Sequence, residues 1–428
     1  MFIDGEIKPR LVVIDRLRDR PARSLARLVP MHIAAKPSLF SAATIAEFAL
    51  AIGAFAIGTG EFAAMGFLPD VANGWQVTVP EAGRIISAYA LGVVVGAPLI
   101  AVVGARLSRR VLLLILMGVF ALGNLASAMS PSFPSLVILR FVTALPHGAY
   151  FGVAALVAAG MAGPDGRARA IGRVMLGLTV ATLAGTPLAT WAGQMLGWRV
   201  AFAVVGVLGL TTVALVAVCV PRDRPQPGAS PLRELGALRE VQVWLTLAIG
   251  ATGFGGMFAV FSYITPTLVN VSHIPESAVP FVLSVFGAGM IAGNIFGPKL
   301  ADRALLPTIA GLLAWNVLVL VLFTVAVRQP VTAVAVVFLI GTGFAVVPTL
   351  QTRLMDVGKD AQTLAAALNH SAFNIANALG AWLGGVSIAA GYGWASTGWV
   401  GALLGLVGSA VFVVSLLLDR KGINASGS

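Results

Sequence analysis

Twelve apolar runs, most of them about twenty residues or longer and separated by turn-forming and charged residues, limit what this chain can become more than any other feature. They cover roughly 44–68, 82–104, 111–130, 134–161, 170–194, 200–220, 241–268, 278–298, 306–327, 331–351, 362–390 and 395–418. At about 1.5 Å of helical rise per residue, each run matches the ~30 Å hydrocarbon layer of a bilayer. Lipid offers a backbone no hydrogen bonds, so each run must satisfy its own N–H and C=O groups as a helix. With a mean hydropathy of +0.93 and 11% charged residues, the chain has too little polar surface for water. The expected fold class is an all-α polytopic membrane protein with twelve transmembrane helices, and a soluble enzyme is excluded.

A net charge of +11 would suit a nucleic-acid partner if the basic residues shared a soluble surface, but they do not. Of the 28 Lys and Arg residues, all but Arg84, Arg140, Arg199 and Arg328 fall in the tails and in the alternate loops that share one side of a twelve-span chain. This is the positive-inside asymmetry, and it predicts both termini in the cytoplasm, a lipid bilayer as partner and no nucleic acid. The single cysteine, Cys219, cannot form an internal disulfide, and no Cys/His cluster has metal-ligand spacing. The first forty residues hold Arg10, Arg16, Arg18, Arg20, Arg23 and Arg27 among scattered apolar positions and lack the apolar core and cleavage site of a signal peptide. They read as a basic cytoplasmic tail, as an upstream start with Met31 as the alternative first residue, or as a helix on the membrane surface.

The runs divide six and six. Gly92-x3-Gly96 in the second run and Gly289-x3-Gly293 in the eighth are 197 residues apart, and the same offset carries Arg106 onto Arg303. Gly197-Trp198 and Gly393-Trp394 are 196 apart. Between the halves, Pro221, Pro225, Pro227 and Pro231 stand in a polar stretch that can neither continue as one helix nor enter lipid. The expected organisation is a tail over 1–40, a six-helix bundle over 41–220, a cytoplasmic linker over 221–240, a second six-helix bundle over 241–420 and a C-terminal tail over 421–428, the two bundles being pseudo-symmetric.

Polar residues inside the runs mark the candidate site. Glu61 is the only carboxylate far from either end of a run, about two thirds of the way across by helix rise. An ionisable group there costs a few kcal/mol or more unless it is paired, neutralised or wet, so Glu61 reads as a proton- or substrate-handling acid or as a structural acid paired with Arg140 or Arg84. Arg140 and His147 lie two helical turns apart on one face of the fourth run. His147 is either a relay or substrate contact or a histidine held by an interhelical hydrogen bond, and Arg140 either functional or a plain ion-pair partner. In the eleventh run His370, Asn374 and Asn377 form one polar stripe, which faces a wet cavity or bonds to neighbouring helices because lipid cannot be its partner.

On these residues the chain resembles the major facilitator superfamily, and within it the twelve-helix drug:proton antiporters of the arabinose/sugar, nucleoside and chloramphenicol efflux branch. Gly58-Thr-Gly-Glu61-Phe with Gly66-Phe-Leu-Pro69-Asp-Val-Ala is similar to the branch's first-helix signature. Arg140-Phe-Val-Thr-Ala-Leu-Pro-His147-Gly-Ala-Tyr-Phe-Gly resembles its arginine motif, and Gly177 through Gly185-Thr-Pro187 to Gly193 the glycine-proline motif of antiporters. Ala367-Leu-Asn369-His-Ser-Ala-Phe-Asn374-Ile-Ala-Asn377 through Trp382 to Gly385 resembles a branch signature in the eleventh helix. The resemblance implies proton coupling through Glu61, Arg140 and His147. It implies a substrate cavity lined by Met65, Tyr89, Tyr150, Met257, Tyr263, Phe344, Asn369, His370, Asn374 and Asn377. It places gating at Arg106, Gly185, Pro187, Asp302 and Arg303, with Pro187 bending the fifth helix or leaving carbonyls free.

The chain departs from the family at the loop after the second helix, where Ala105 and Ser108 replace the usual aspartate and glycine. Asp302 in the second half keeps the acid and is expected to cap a helix or to pair with Arg303. What the resemblance implies is a monomeric, multi-pass transporter of the bacterial inner membrane, with no cofactor and with the proton gradient as its energy source. It would export a small neutral or amphiphilic compound, such as a sugar, a nucleoside or a phenicol-like drug, in exchange for protons. The other readings are an uncoupled facilitator, a proton symporter that imports a solute, or a membrane sensor or channel.

Overall fold

The structure, a computed structural model, describes residues 42–104, 107–223, 240–358 and 362–426. The expectations for the N-terminal tail, Met31, Arg106 and most of the 221–240 linker lie outside these residues. Among the described residues, twelve helices are long and apolar enough to cross a membrane: α1 (Ala42–Gly66), α2 (Val79–Ala97), α3 (Arg109–Ala128), α4 (Phe133–Met161), α5 (Ala170–Leu196), α6 (Trp198–Cys219), α7 (Val241–Phe261), α8 (Glu276–Ala301), α9 (Leu305–Ala326), α10 (Pro330–Val357), α11 (Leu368–Ala389) and α12 (Ser396–Asp419). Each falls within a few residues of an apolar run, because the bilayer sets helix length before any tertiary contact is made. The spans alternate in direction. One face, called basic here, carries the turn before α3 and the linker, and the opposite or far face carries the α1–α2 and α7–α8 turns.

The two six-helix halves repeat one another in geometry as well as in sequence. Gly92 and Gly96 of α2 lie against the backbone of α4 at Phe141 and Leu145, and Gly289 and Gly293 of α8 lie against α10 at Phe338 and Thr342. A Cβ at any of these four positions would collide with a backbone carbonyl, so the glycines allow two helices to approach where lipid gives no hydrophobic incentive to associate. Gln76 and His273, both in left-handed backbone with φ near 52° and 54°, are again 197 residues apart and turn the chain after α1 and α7. In the fourth and tenth spans the regular helix is interrupted at Leu145–Pro146 and at Gly343–Ala345, which are also matching places. Gly197 and Gly393, at φ 93° and 79°, make the same turn into α6 and α12.

Local chemistry sets the ends. Thr78 and Glu81 form a reciprocal capping box at the start of α2, as Ser132 and Ser135 do at the start of α4. Asp223, just past α6, accepts hydrogen bonds from the backbone N–H groups of Arg109 at 2.8 Å and Arg110 at 3.1 Å. This carboxylate caps α3 at its N-terminus. Glu47 and Arg173 join α1 to α5, and Arg353 and Asp419 join α10 to α12, as ion pairs inside each half.

In α5, residues Ala181–Gly185 form a single π-turn before Thr186–Leu196 resumes as α-helix. Pro187 has no N–H to donate and crowds the preceding turn, and the wider turn absorbs that mismatch. The irregularity that Pro187 announces is a π-turn directly before it. Asp302 differs from expectation: it sits at the C-terminal cap of α8, and among the described residues its carboxylate neither caps a helix N-terminus nor pairs with Arg303. The reason is positional, because the next helix begins at Leu305 with Ala304 in the N-cap place.

Candidate functional site

Between the halves, contacts run from the far face to mid-depth. The Thr265 hydroxyl donates to the Gly66 carbonyl across the seam at 2.7 Å. Phe62 of α1 stacks on Phe258 at 6.4 Å and meets Phe261 edge-on at 6.0 Å, both from α7. Gly287 of α8 lies directly against the α5 π-turn at Thr182 and Leu183. The molecule is thus closed toward its far face, with aromatic rings filling the closure.

Glu61 stands at this seam and is 8% exposed. Its Oε1 accepts from Asn377 Nδ2 of the opposite half at 3.5 Å, and its Oε2 lies 3.8 Å from His147 Nε2. Tyr89 Oη is 3.1 Å from His147 Nδ1. The tautomer with hydrogen on Nε2 satisfies both neighbours, since the phenol then donates to Nδ1 and the imidazole points its N–H at the carboxyl. Arg140 is fully buried beneath this group, where Nη2 donates to the Gly60 carbonyl at 2.9 Å and the guanidinium lies 4.2 Å from the Tyr89 ring centre and 5.0 Å from that of Phe202. Its Nε and Nη1 have no hydrogen-bond partner. A buried guanidinium with two idle donors is costly, and the aromatic faces return part of that cost.

This geometry revises the expected partner of Glu61. Among the described residues neither Arg140 nor Arg84 lies within ion-pair distance of its carboxyl: Arg140 spends its donor on the backbone carbonyl next to Glu61, and Arg84 is at the mouth of a separate cavity near the far face. His147 and Asn377 fill the place instead. His147 is held by an interhelical contact to Tyr89 while it also faces the acid.

The stripe on α11 separates into different duties. Asn377 reaches Glu61, and the His370 ring stacks at 5.7 Å and 7° on Phe151 of α4, which itself contacts His147. Asn374 turns back to its own helix, donating to the His370 carbonyl at 3.0 Å, and its Oδ1 is buried without a partner. Asn369 reaches the Val347 carbonyl at 3.5 Å. Of the expected cavity residues, Tyr150 is tied to the Leu50 carbonyl at 2.7 Å and Tyr263 to the Ala381 carbonyl at 2.8 Å. Met65 and Met257 are buried, and Phe344 meets Phe254 edge-on at 5.5 Å. Gly185, beside Pro187, faces Phe55 and Thr59 of α1, so this part of α5 packs onto the helix that carries Glu61. Asp302 and Arg303 lie at the basic face, away from the cluster.

Sequence reasoning passed over Phe151, the link between His147 and His370, because an aromatic in an apolar helix carries no signal of its own. It also passed over Asp70, which lies outside the spans on the short helix Leu68–Trp75. Asp70 is half-buried, and its Oδ2 has no hydrogen-bond partner. Burial first, and then the Glu276 carboxylate from the opposite half, push its pKa from 3.8 up to about 6, with a backbone hydrogen bond opposing them. The folded, far-closed arrangement therefore binds this proton more tightly than a solvated aspartate does. Stability rises as pH falls from about 6 to about 4 and is lost as pH rises through about 6. The effect is about 1 kcal/mol, because the partly exposed group is screened by solvent. Thermal unfolding of Asp70→Asn should lack this rise between pH 6 and 4, and an unchanged pH profile would refute the assignment.

A bundle of twelve spans in two repeated halves, with a buried acid meeting the opposite half within the membrane, defines a membrane transporter and not an enzyme. Residues 50–366 match the family model of the Major Facilitator Superfamily, and the chain belongs to that family. It is 40% identical to the inner membrane transport protein YdhP of Escherichia coli K12 over 376 residues, 87% of this chain and 96% of that one. It is 34% identical to a chloramphenicol resistance protein of Streptomyces lividans, over 78% of this chain and 86% of that protein. Among solved structures, a D-xylose-proton symporter shares the fold at a TM-score of 0.70 with 13% identity, over 87% of this chain and 97% of that one.

Proposed function

We propose that this transporter exports a small neutral or amphiphilic compound in exchange for protons, by rocking its two halves about the seam. The observation that carries the reading is the Glu61 carboxyl, buried in the far half of α1 and accepting a hydrogen bond from Asn377 of the other half. When the far face opens, that bond must part, so the environment of the acid is tied to the state of the molecule. An ionisable group whose surroundings differ between two states binds its proton differently in each, which is the requirement for coupling. His147 and Tyr89 hold the acid's other side, and Arg140 fixes the α1 backbone at Gly60.

The second half offers amide, hydroxyl and imidazole groups near the seam, which favours a substrate such as a sugar, a nucleoside or a phenicol over a dication. The resistance function named for the Streptomyces relative agrees with an exporter. The distribution of Lys and Arg supports a cytoplasmic basic face with both termini on it, and the inner membrane transport protein among the relatives supports the inner membrane of a bacterium. The units are the 41–220 and 241–420 bundles joined by the 221–240 linker, acting as a monomer with the proton gradient and no cofactor. In inside-out vesicles, accumulation of the exported compound should follow an imposed pH gradient and stop when a protonophore is added. Equilibration without accumulation, unchanged by the pH gradient and by the protonophore, would leave an uncoupled facilitator.

A further inference from the structure

A second cavity, of about 700 Å³, lies between α2 and α11 toward the far face, apart from the Glu61 cluster. Its walls belong to different halves, with Ala88 and Leu91 on α2 and Trp382, Val386 and Ala389 on α11, and Tyr263 lies among them. Leu91, Trp382 and Val386 are exposed in the spanning part of the molecule, so the groove opens sideways into lipid. Tyr263 is fixed there by its bond to Ala381. An open apolar groove at this depth holds hydrocarbon, since neither water nor a polar solute gains anything from its walls.

Two charges stand at the mouth. Glu81 and Arg84 lie one turn apart at the start of α2, where the hydrocarbon layer gives way to headgroups. Glu81 Oε2 accepts from the Thr78 backbone N–H and hydroxyl, both at 2.9 Å, and this fixes the side chain with its second oxygen free of that cap. The Arg84 guanidinium is exposed and, among the described residues, forms no hydrogen bond or ion pair. A purely anionic headgroup would gain Arg84 and be repelled by Glu81. A quaternary ammonium has no N–H to give the carboxylate. A headgroup carrying both a phosphate and a primary ammonium satisfies the two side chains together.

We propose that this groove binds a phospholipid of the far leaflet with a phosphoethanolamine headgroup, one acyl chain lying between α2 and α11, the phosphate on Arg84 and the ammonium on Glu81. Because the walls come from opposite halves, the lipid bridges them and stabilises the arrangement closed toward the far face.

The test is lipid retention by the full-length protein, released from nanodiscs of equal phosphatidylethanolamine, phosphatidylglycerol and phosphatidylcholine and read by native mass spectrometry. The wild type should retain phosphatidylethanolamine several-fold over the other two. Glu81→Gln keeps the cap, since glutamine serves in a capping box, and should retain phosphatidylethanolamine and phosphatidylcholine alike. Arg84→Gln should retain little of any. Ala389→Trp, at an exposed position, should fill the groove and also lose retention. Equal retention of all three lipids by the wild type, dominance of phosphatidylglycerol, a bound non-lipid amphiphile in place of lipid, or wild-type retention by both charge variants would each overturn the assignment. The readout involves no transport, so it stands or fails separately from proton coupling.

Discussion

Glu61→Gln should reduce gradient-driven accumulation to the level of simple equilibration while the protein still carries its substrate. One pH unit across the membrane is worth about 1.4 kcal/mol per proton exchanged, which sustains about a tenfold concentration ratio. A glutamine keeps the shape of the side chain and can still meet Asn377 and His147, so the seam closes as before, but it has no proton to trade. Accumulation of about tenfold per proton and per pH unit should fall to a ratio near one. Exchange of labelled for unlabelled substrate at equal concentrations, which needs no coupling, should survive. A variant that still concentrates substrate against its gradient would falsify the role given to Glu61, and loss of both activities would mean that the acid holds the structure together instead.

The second large effect concerns the seam and not the acid. A Cβ on Gly287 would lie 2.5 Å from the Thr182 carbonyl oxygen, 2.7 Å from its carbon and 2.8 Å from Leu183 Cα. All three are backbone atoms of the α5 π-turn, so no rotamer change relieves them and the two helices must part. Forced backbone shifts of this kind cost about 1–3 kcal/mol. Because α5 and α8 belong to different halves, the cost falls on the far-closed state alone and shifts the balance between states by about 5- to 150-fold. Gly287→Ala should therefore fold and insert normally, transport at least about tenfold more slowly, and show increased reagent access to cysteines placed at the far seam. Gly289, two residues along the same helix, faces its own half at Phe338. Gly289→Ala should instead reduce the amount of folded protein. Matched behaviour of the two variants would show that Gly287 acts on packing in general and not on the opening of the seam.

Much of the fold was legible in the sequence because lipid enforces one rule everywhere: a backbone out of reach of water must be helical for the full width of the bilayer. The twelve spans follow from it, and the glycine pairs repeated at a 197-residue offset divide them six and six. The acid at position 61 was conspicuous for the same reason, since a carboxyl is expensive there and its presence demands an explanation. Its partners were not legible. Helical periodicity places Arg140 and His147 on one face of α4 and His370, Asn374 and Asn377 on one face of α11, but it does not set how each helix is rotated against its neighbours. Of the two readings of Glu61, the one with a directly paired arginine is not what that rotation produced: the guanidinium took the adjacent Gly60 carbonyl, and an amide from the other half took the carboxyl.

Other details were hidden for other reasons. The proline in α5 announced an irregularity, but only the packing of Gly185 onto α1 and of Gly287 onto the π-turn located its structural consequence. Asp223 caps α3 from a distant part of the chain, and no local pattern marks it. From its residues alone, this protein was bound to be a twelve-helix membrane bundle of two related halves with one costly acid inside, because solvent physics acts on each segment separately. Which groups meet that acid, and which surfaces meet between the halves, depended on contacts between residues up to 316 positions apart, and only the packed helices bring those together.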